Sequence, residues 1–386
     1  MVIINIDFFL RKTLLYILFP NYYFSKFGFN IFTPYFSGAL PKRVDFMIYS
    51  LKGGKLPYYK VVLACALSIV FTYMFTKNLP TKIGEQQSVA ANSCDERMNL
   101  VRMKRHQLTQ PLLFSDIANE SSKYSNLKQD LLNKIGAEKA TGKVSNVSVY
   151  LREFGNGSWM GIQQNEQFDP GSIMKLPILI AYLKRQEESP TYFDKKIKFE
   201  SNSSAMPRQT IVTNSIKIGN TYSVRSLIKS MIIDSDNQAN MLLNQNIEPE
   251  YVYNVFTDLG MQVPAIQQSS VKMSAMDLSK FMRVLYNSSY TTQNLSEFAL
   301  QLLTGTKFND GMKKGIPDSV IIAHKFGERG YQDTPFQEIH ETGIIYLGNN
   351  PVLLTIMTSG NDQTYQTQLI ANITKSCYDW LMIESK

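Results

Sequence analysis

Apolar positions recur with two different periods in the C-terminal two thirds of the chain. Alternation typical of strands occurs in five segments: 144–154, 158–164, 319–327, 341–348 and 351–359. Helical periodicity occurs at 127–135, across most of 190–310, and at 363–382. Two strands therefore precede a long helical insert and three follow it. This order predicts an α+β fold in which an antiparallel five-stranded sheet is flanked by helices and carries an inserted all-helical lobe.

The N-terminal third has a different pattern. An apolar, uncharged stretch from Val61 to Phe75 lies between Lys60 and Lys77, which predicts a transmembrane helix over 61–76. A buried helix of a soluble domain and a cleaved signal peptide are the alternatives. The lysines and arginines before the stretch favour a cytoplasmic N-terminus and an extracytoplasmic remainder, at the periplasm or cell surface.

These patterns divide the chain into four parts. We predict a basic, aromatic-rich segment over 1–60, the transmembrane helix over 61–76, a polar stalk over 77–124 and a folded domain over 125–386. The sequence assigns no role to the first segment.

Charge is concentrated at the N-terminus. The net charge is +8, and residues 1–82 alone carry ten Lys and Arg against two Asp, so the remainder balances to zero. A folded domain without net positive charge gives no support to nucleic-acid binding. The three histidines and three cysteines have no metal-binding spacing, and we expect no metal and no cofactor. Cys94 and Cys377 are either a disulfide pair or two free thiols.

The candidate nucleophile lies in FDPGSIMKLPILIAYLK. Ser172 follows a Pro-Gly turn at the start of an apolar helix, and Lys175, three residues on, shares its helix face. The same spacing joins Ser226 to Lys229 and Ser269 to Lys272. The pattern predicts that Ser226 lies inside a helix and Ser269 in a polar loop. The context therefore favours Ser172.

Two further motifs follow in order. Ser235-Asp236-Asn237 separates two helical segments, and Lys325-Phe326-Gly327 ends a predicted strand. Each is weak alone: the first is also a common helix cap, and Lys-Phe-Gly recurs at 26–28. Together the three motifs resemble the S-x-x-K, S-D-N and K-T-G motifs of the serine β-lactamase and penicillin-binding protein family, with class A β-lactamases the most similar pattern. The resemblance covers about 127–386.

The resemblance implies catalytic roles for four side chains. Ser172 would be the nucleophile, and Lys175, deprotonated by burial and by the nearby charge of Lys325, its base. Ser235 would relay the proton to the leaving amine, and Lys325 would attract a substrate carboxylate.

The resemblance also implies a set of binding groups. Asn237 would hydrogen-bond the substrate amide and Lys175, and the backbone N–H groups of Ser172 and Glu328 would form an oxyanion hole. Phe326 and Gly327 complete the predicted substrate-binding residues.

Two departures from the family pattern concern the fate of the acyl group. Class A enzymes use a loop glutamate for deacylation, but the corresponding segment, 261–273, contains no carboxylate. Phe326 replaces the usual Thr or Ser, and Glu328 follows closely. We hypothesise that Glu328 is a replacement base or selects an amine-bearing peptide.

The sequence thus predicts a membrane-anchored, extracytoplasmic serine hydrolase of class A β-lactamase type. It would form a Ser172 acyl-enzyme with a β-lactam or a D-Ala-D-Ala-like cell-wall peptide. The alternatives are a penicillin-binding peptidase without efficient β-lactam turnover and a non-catalytic binding module that retains the fold. We expect a monomeric catalytic domain that contacts the membrane only through 61–76.

Overall fold

The structure is a computed structural model that describes residues 98–103, 108–200, 211, 214–264, 271–331 and 333–384. The strands are β1 (Met98–Arg102), β2 (Leu112–Ile117), β3 (Val144–Glu153), β4 (Trp159–Ile162), β5 (Lys196–Lys198), β6 (Thr221–Ser223), β7 (Ile322–Gly330), β8 (Gln337–Ile345) and β9 (Val352–Gly360). The α-helices are α1 (Ser125–Ala140), α2 (Lys175–Glu188), α3 (Val224–Ile233), α4 (Asn237–Asn244), α5 (Pro249–Asp258), α6 (Ala275–Tyr286), α7 (Gln293–Thr304) and α8 (Gln363–Glu384).

A five-stranded antiparallel sheet forms the centre of the domain, in the order β4-β3-β9-β8-β7. The predicted hairpin between β3 and β4 is present, with Gly157 at φ +74° in its turn. The chain leaves the sheet after β4, builds the helical lobe, and returns at β7. The predicted α+β sheet with its helical insert is confirmed.

The sheet separates two apolar cores. Helices α1 and α8 pack on one face, where Leu131 and Ile373 are fully buried. The helical lobe covers the other face through residues such as Leu179 and Phe281. Cys377 is a buried free thiol in the first core. Because β7 is an edge strand, one of its sides is available to the nucleophile turn rather than to another strand.

The folded region begins earlier than predicted. Strands β1 and β2 pair as a hairpin within the segment assigned to a stalk, and Leu113 and Phe114 of β2 are buried in the core. The guanidinium of Arg283 on α6 lies 2.6 Å from Asp116 and donates to the carbonyl of Ser115 at 2.9 Å. This docking makes the hairpin part of the domain.

Two other predicted boundaries shift. Strand β8 begins four residues before the predicted 341, and β7 extends three residues beyond the predicted 327. No helix among the described residues is both long enough and apolar enough to cross a bilayer. The predicted span 61–76 lies outside those residues, as do 1–60, 77–97 and Cys94.

Candidate active site

The nucleophile turn joins β4 to α2. Residues Gly171–Met174 form a single turn of 3-10 helix, so Ser172 precedes the α-helix that begins at Lys175, rather than lying on it as predicted. Gly171 has φ +52°, and a Cβ there would lie 2.4 Å from the backbone oxygen of Glu328. Only glycine accommodates both this conformation and this approach. The backbone just before Ser172 therefore contacts strand β7.

Lys175 brings three of the predicted residues together. Its Nζ lies 2.9 Å from Ser172 Oγ, 2.7 Å from Asn237 Oδ1, and 2.5 Å and 3.1 Å from the carbonyl oxygen and Oγ of Ser235. Two of these partners are carbonyl oxygens, which only accept. A neutral amine that donates its two N–H groups to them directs its lone pair toward a hydroxyl. This geometry allows the Lys175 amine to accept the hydroxyl proton of Ser172 and act as its base.

The electrostatics of Lys175 favour the neutral amine. The side chain is 2% exposed, and burial lowers its pKa to about 7, although the charges of Asp236 and Glu328 oppose the shift. The sequence predicted two causes, burial and the charge of Lys325, and of these burial is the largest influence on the pKa of Lys175. Near neutral pH a substantial fraction of the protein carries an unprotonated Lys175.

Ser235 lies between two buried amines. It has φ +55° at the junction of α3 and α4, and its Oγ is 3.1 Å from the Nζ of Lys175 and 2.9 Å from that of Lys325. The next residue, Asp236, caps α4 by accepting from Gln238 N. This cap explains why a strained conformation is maintained here.

Lys325 is completely buried. Its Nζ donates to Ser235 Oγ and, at 3.2 Å, to the carbonyl oxygen of Phe326, and it lies 4.3 Å from the centre of the Phe326 ring. Burial and the neighbouring Lys175 lower its pKa well below the usual value, against the opposing charges of Glu341 and Glu328. The Lys325 amine therefore points at Ser235 and is enclosed by the protein.

Phe326 and Gly327 shape the site through packing. The Phe326 ring is 3% exposed and stacks on Phe308, with ring centres 4.5 Å apart. A Cβ on Gly327 would lie 2.2 Å from the backbone oxygen of Pro170. Phe326 therefore forms an apolar wall with Phe308, and Gly327 permits the close contact between β7 and the nucleophile turn.

Glu328 is the half-buried acidic residue beside that contact. Its Oε1 accepts a hydrogen bond from the backbone N–H of Ile211 at 3.1 Å. Its charge opposes the lowered pKa values of both Lys175 and Lys325, which means that the carboxylate interacts with both amines. All eight predicted site residues thus lie on the nucleophile turn and the first residue of α2, at the α3–α4 junction, or on β7.

A buried polar network behind the nucleophile turn was absent from the prediction. Glu338 Oε2 accepts from the backbone N–H of Asp169 at 2.6 Å, and His340 Nε2 lies 2.9 Å from the backbone oxygen of Asp169. Thr358 N donates to the other ring nitrogen of His340, which assigns Nε2 as the donor. The Asp169 carboxylate accepts from Gly171 N and lies 3.2 Å from Arg329. The network fixes the turn that carries Ser172.

The pKa values of the two carboxylates in this network are shifted in opposite directions. For Asp169, burial is the largest influence and raises its pKa, despite the Gly171 hydrogen bond and the Arg329 charge. For Glu338, burial also acts to raise the pKa, but hydrogen bonds from His340 and Asp169 and the charge of Lys272 outweigh it and lower the pKa. A signal was present in the sequence, because polar residues at 338 and 340 share one face of a strand.

The alternative dyad at Ser226 is not assembled. Ser226 Oγ donates to the backbone oxygen of Ser223, and Lys229 is exposed. Ser269 lies outside the described residues. The C-terminal end of the carboxylate-free segment 261–273 contacts the site. Met273 pairs with Phe168 next to the nucleophile turn, and Lys272 Nζ lies 3.5 Å from Glu338 Oε1.

Comparison with known proteins defines the class. The model of the β-lactamase enzyme family matches residues 126–381. Beta-lactamase VEB-1 of Pseudomonas aeruginosa is 20% identical over 301 residues, covering 72% of this chain and 98% of VEB-1.

Two solved structures have similar folds. The TLA-1 extended-spectrum β-lactamase has a TM-score of 0.58 at 19% identity, over 67% of this chain and 98% of its own. A mutant of PBP-A, solved as an acyl-enzyme complex with penicillin G, has a TM-score of 0.57 at 18% identity, over 67% and 97%.

The chain belongs to the β-lactamase enzyme family, within the superfamily of serine β-lactamases and penicillin-binding proteins.

Proposed function

We propose that this protein is a serine hydrolase of class A β-lactamase type that forms an acyl-enzyme on Ser172 with a β-lactam or a D-Ala-D-Ala-like peptide. The observation that carries the proposal is the position of Lys175 Nζ, 2.9 Å from Ser172 Oγ with its N–H groups directed at fixed carbonyl oxygens. Such a contact, combined with a pKa of about 7, activates a serine without a histidine.

Acylation proceeds in two steps. Ser172 Oγ attacks the carbonyl carbon while its proton passes to Lys175 Nζ, giving a tetrahedral oxyanion. The C–N bond then breaks, Ser235 Oγ gives its proton to the leaving nitrogen, and Lys175 returns the proton to Ser235. The net products are a serine ester and a free amine. Ser235 is suited to this relay because its Oγ is 3.1 Å from Lys175 Nζ.

The oxyanion is stabilised by backbone donors. The N–H groups of Ser172 and Glu328 belong to the two segments that Gly171 and Gly327 bring into contact. Each donor of this kind contributes about 3 kcal/mol to the transition state.

Hydrolysis of the ester is slow in this proposal. Water must attack the acyl carbon with the help of a base, yet 261–273 supplies no carboxylate for that role. PBP-A, whose mutant was solved as a penicillin acyl-enzyme, supports the possibility of a long-lived adduct on this fold. A penicillin-binding peptidase is thus the second candidate. We keep membrane anchoring through 61–76 and an extracytoplasmic domain as part of the proposal.

The test is acylation of the full-length chain by penicillin G, followed by intact mass. We expect one covalent adduct that persists for many minutes and is abolished in Ser172→Ala. Fast, Ser172-dependent turnover would indicate an efficient β-lactamase. Neither adduct nor turnover would favour a non-catalytic binding module and would contradict the proposal.

A further inference from the structure

We infer that Glu328 makes the site prefer acyl donors whose leaving group is neutral or cationic over donors with a carboxylate beside the leaving nitrogen. The inference rests on the proposed function, in which Ser235 protonates the leaving amine. Among the acyl donors of that site, it gives the preferred class as amides without an adjacent free carboxylate, such as an internal or amine-bearing peptide bond.

The end of strand β7 lines the leaving-group side. Ser235 supplies the proton to the leaving nitrogen, and its Oγ is hydrogen-bonded by Lys325 of β7 at 2.9 Å. Phe326 and Glu328 lie two residues apart and share one face of that strand. The carboxylate of Glu328 interacts with Lys325 and Lys175, so its charge acts on the space around Ser235.

Among the described residues, three basic side chains near this end contact other groups of the protein. Lys325 is fully buried, donates to Ser235 Oγ and the Phe326 carbonyl, and lies over an aromatic ring. Arg329 lies 3.2 Å from the Asp169 carboxylate, and Lys307 pairs with Asp234 at 2.6 Å. A substrate carboxylate that displaced these contacts would leave buried partners unpaired. The predicted attraction of a substrate carboxylate by Lys325 is therefore weak.

Three further described side chains at this end are apolar or acidic. Phe326 and Phe308 form a stacked pair, which offers no hydrogen bond. Glu341, directly opposite Phe326 on β8, is fully buried and 2.5 Å from the ring of His324. A leaving-group carboxylate would thus face an aromatic wall and the Glu328 charge. Like charges brought together disfavour binding of the wrong partner.

The experiment uses three donors with one acyl group: benzylpenicillin, its neutral methyl ester and its cationic 2-(diethylamino)ethyl ester. The full-length chain is mixed with each, and the rate constant for the Ser172 adduct is measured by intact mass. Glu328→Gln removes the charge at nearly constant shape. Glu250→Gln is the matched control, since Glu250 lies exposed in the first turn of α5. Comparing variants cancels the intrinsic reactivity of each donor.

We expect Glu328→Gln to lower the ratio of cationic-ester to free-acid acylation about 5- to 10-fold, with Glu250→Gln leaving it unchanged. In the unaltered protein, raising the ionic strength should lower the same ratio, a readout that does not depend on a variant folding. A ratio indifferent to both Glu328→Gln and salt would refute the inference alone. No adduct with any donor would refute the proposed acyl-enzyme as well.

Discussion

Acylation of Ser172 should increase about tenfold between pH 6 and pH 8. Lys175 has a pKa of about 7, so the neutral fraction of its amine rises from roughly one eleventh to roughly ten elevenths across this range. The shift from 10.5 to about 7 corresponds to roughly 5 kcal/mol of bias against the charged amine. Burial supplies this bias, because the side chain is only 2% exposed.

The assay is a pH series of adduct formation with penicillin G, followed by intact mass at a fixed short time. Lys175→Met should lower the rate at least about a hundredfold and remove the step near pH 7, since the general base is lost. Glu328→Gln should move the midpoint to lower pH, because the charge of Glu328 acts to raise the pKa of Lys175. Thermal unfolding of each variant shows whether the fold is intact.

Two results would show the reasoning to be wrong. One is a midpoint above about pH 9, which would mean that the buried amine keeps an ordinary pKa. The other is a folded Lys175→Met variant that acylates at the unaltered rate, which would assign the proton transfer to another group.

Three further outcomes follow from the same structure. Gly327→Ala should lower acylation at least about a hundredfold, because its Cβ would lie 2.2 Å from the oxygen of Pro170, whereas Gly330→Ala on the same strand, with open space around it, should not. Phe114→Ala should cost about 3 to 5 kcal/mol of unfolding free energy in a urea titration if the β1–β2 hairpin belongs to the domain. The folded pKa of Lys175, about 7, lies below the 10.5 expected when unfolded, so the unfolded chain binds more protons between these values and stability should rise with pH there. Lys175→Met should show a smaller rise in chemical denaturation between pH 7 and pH 10, because only the lowered pKa of Lys325 then contributes to it.

Local pattern was sufficient to predict most of the fold. The strands of the central sheet bury residues on one or both faces, so they appear in the sequence as apolar runs or alternation. The β1–β2 hairpin was missed because β1 is short and mostly exposed, and because the docking of the hairpin depends on Arg283, far along the chain. Strand β8 was predicted too short, since it starts with polar residues whose burial depends on partners in the nucleophile turn.

The sequence likewise predicted the motif residues of the site but missed the contacts that support them. Ser172, Lys175, Ser235 and Lys325 belong to motifs whose chemistry is visible in their side chains. The supporting contacts of Glu338 and His340 join residues about 170 positions apart, and no local pattern reports such a pairing. The role of Phe326 also required the structure, because its packing against Phe308 turns a predicted binding residue into a buried wall.

The two buried lysines bear on how the proton moves during acylation. Lys175 and Lys325 contact the same hydroxyl, Ser235 Oγ, and each disfavours a charge on the other at such short range. Burial lowers the pKa of both amines, and the charge of Lys175 lowers that of Lys325 further. A proton that the neutral Lys175 takes from Ser172 can pass on through Ser235 to the leaving nitrogen, and Lys325 orients the Ser235 hydroxyl through its hydrogen bond.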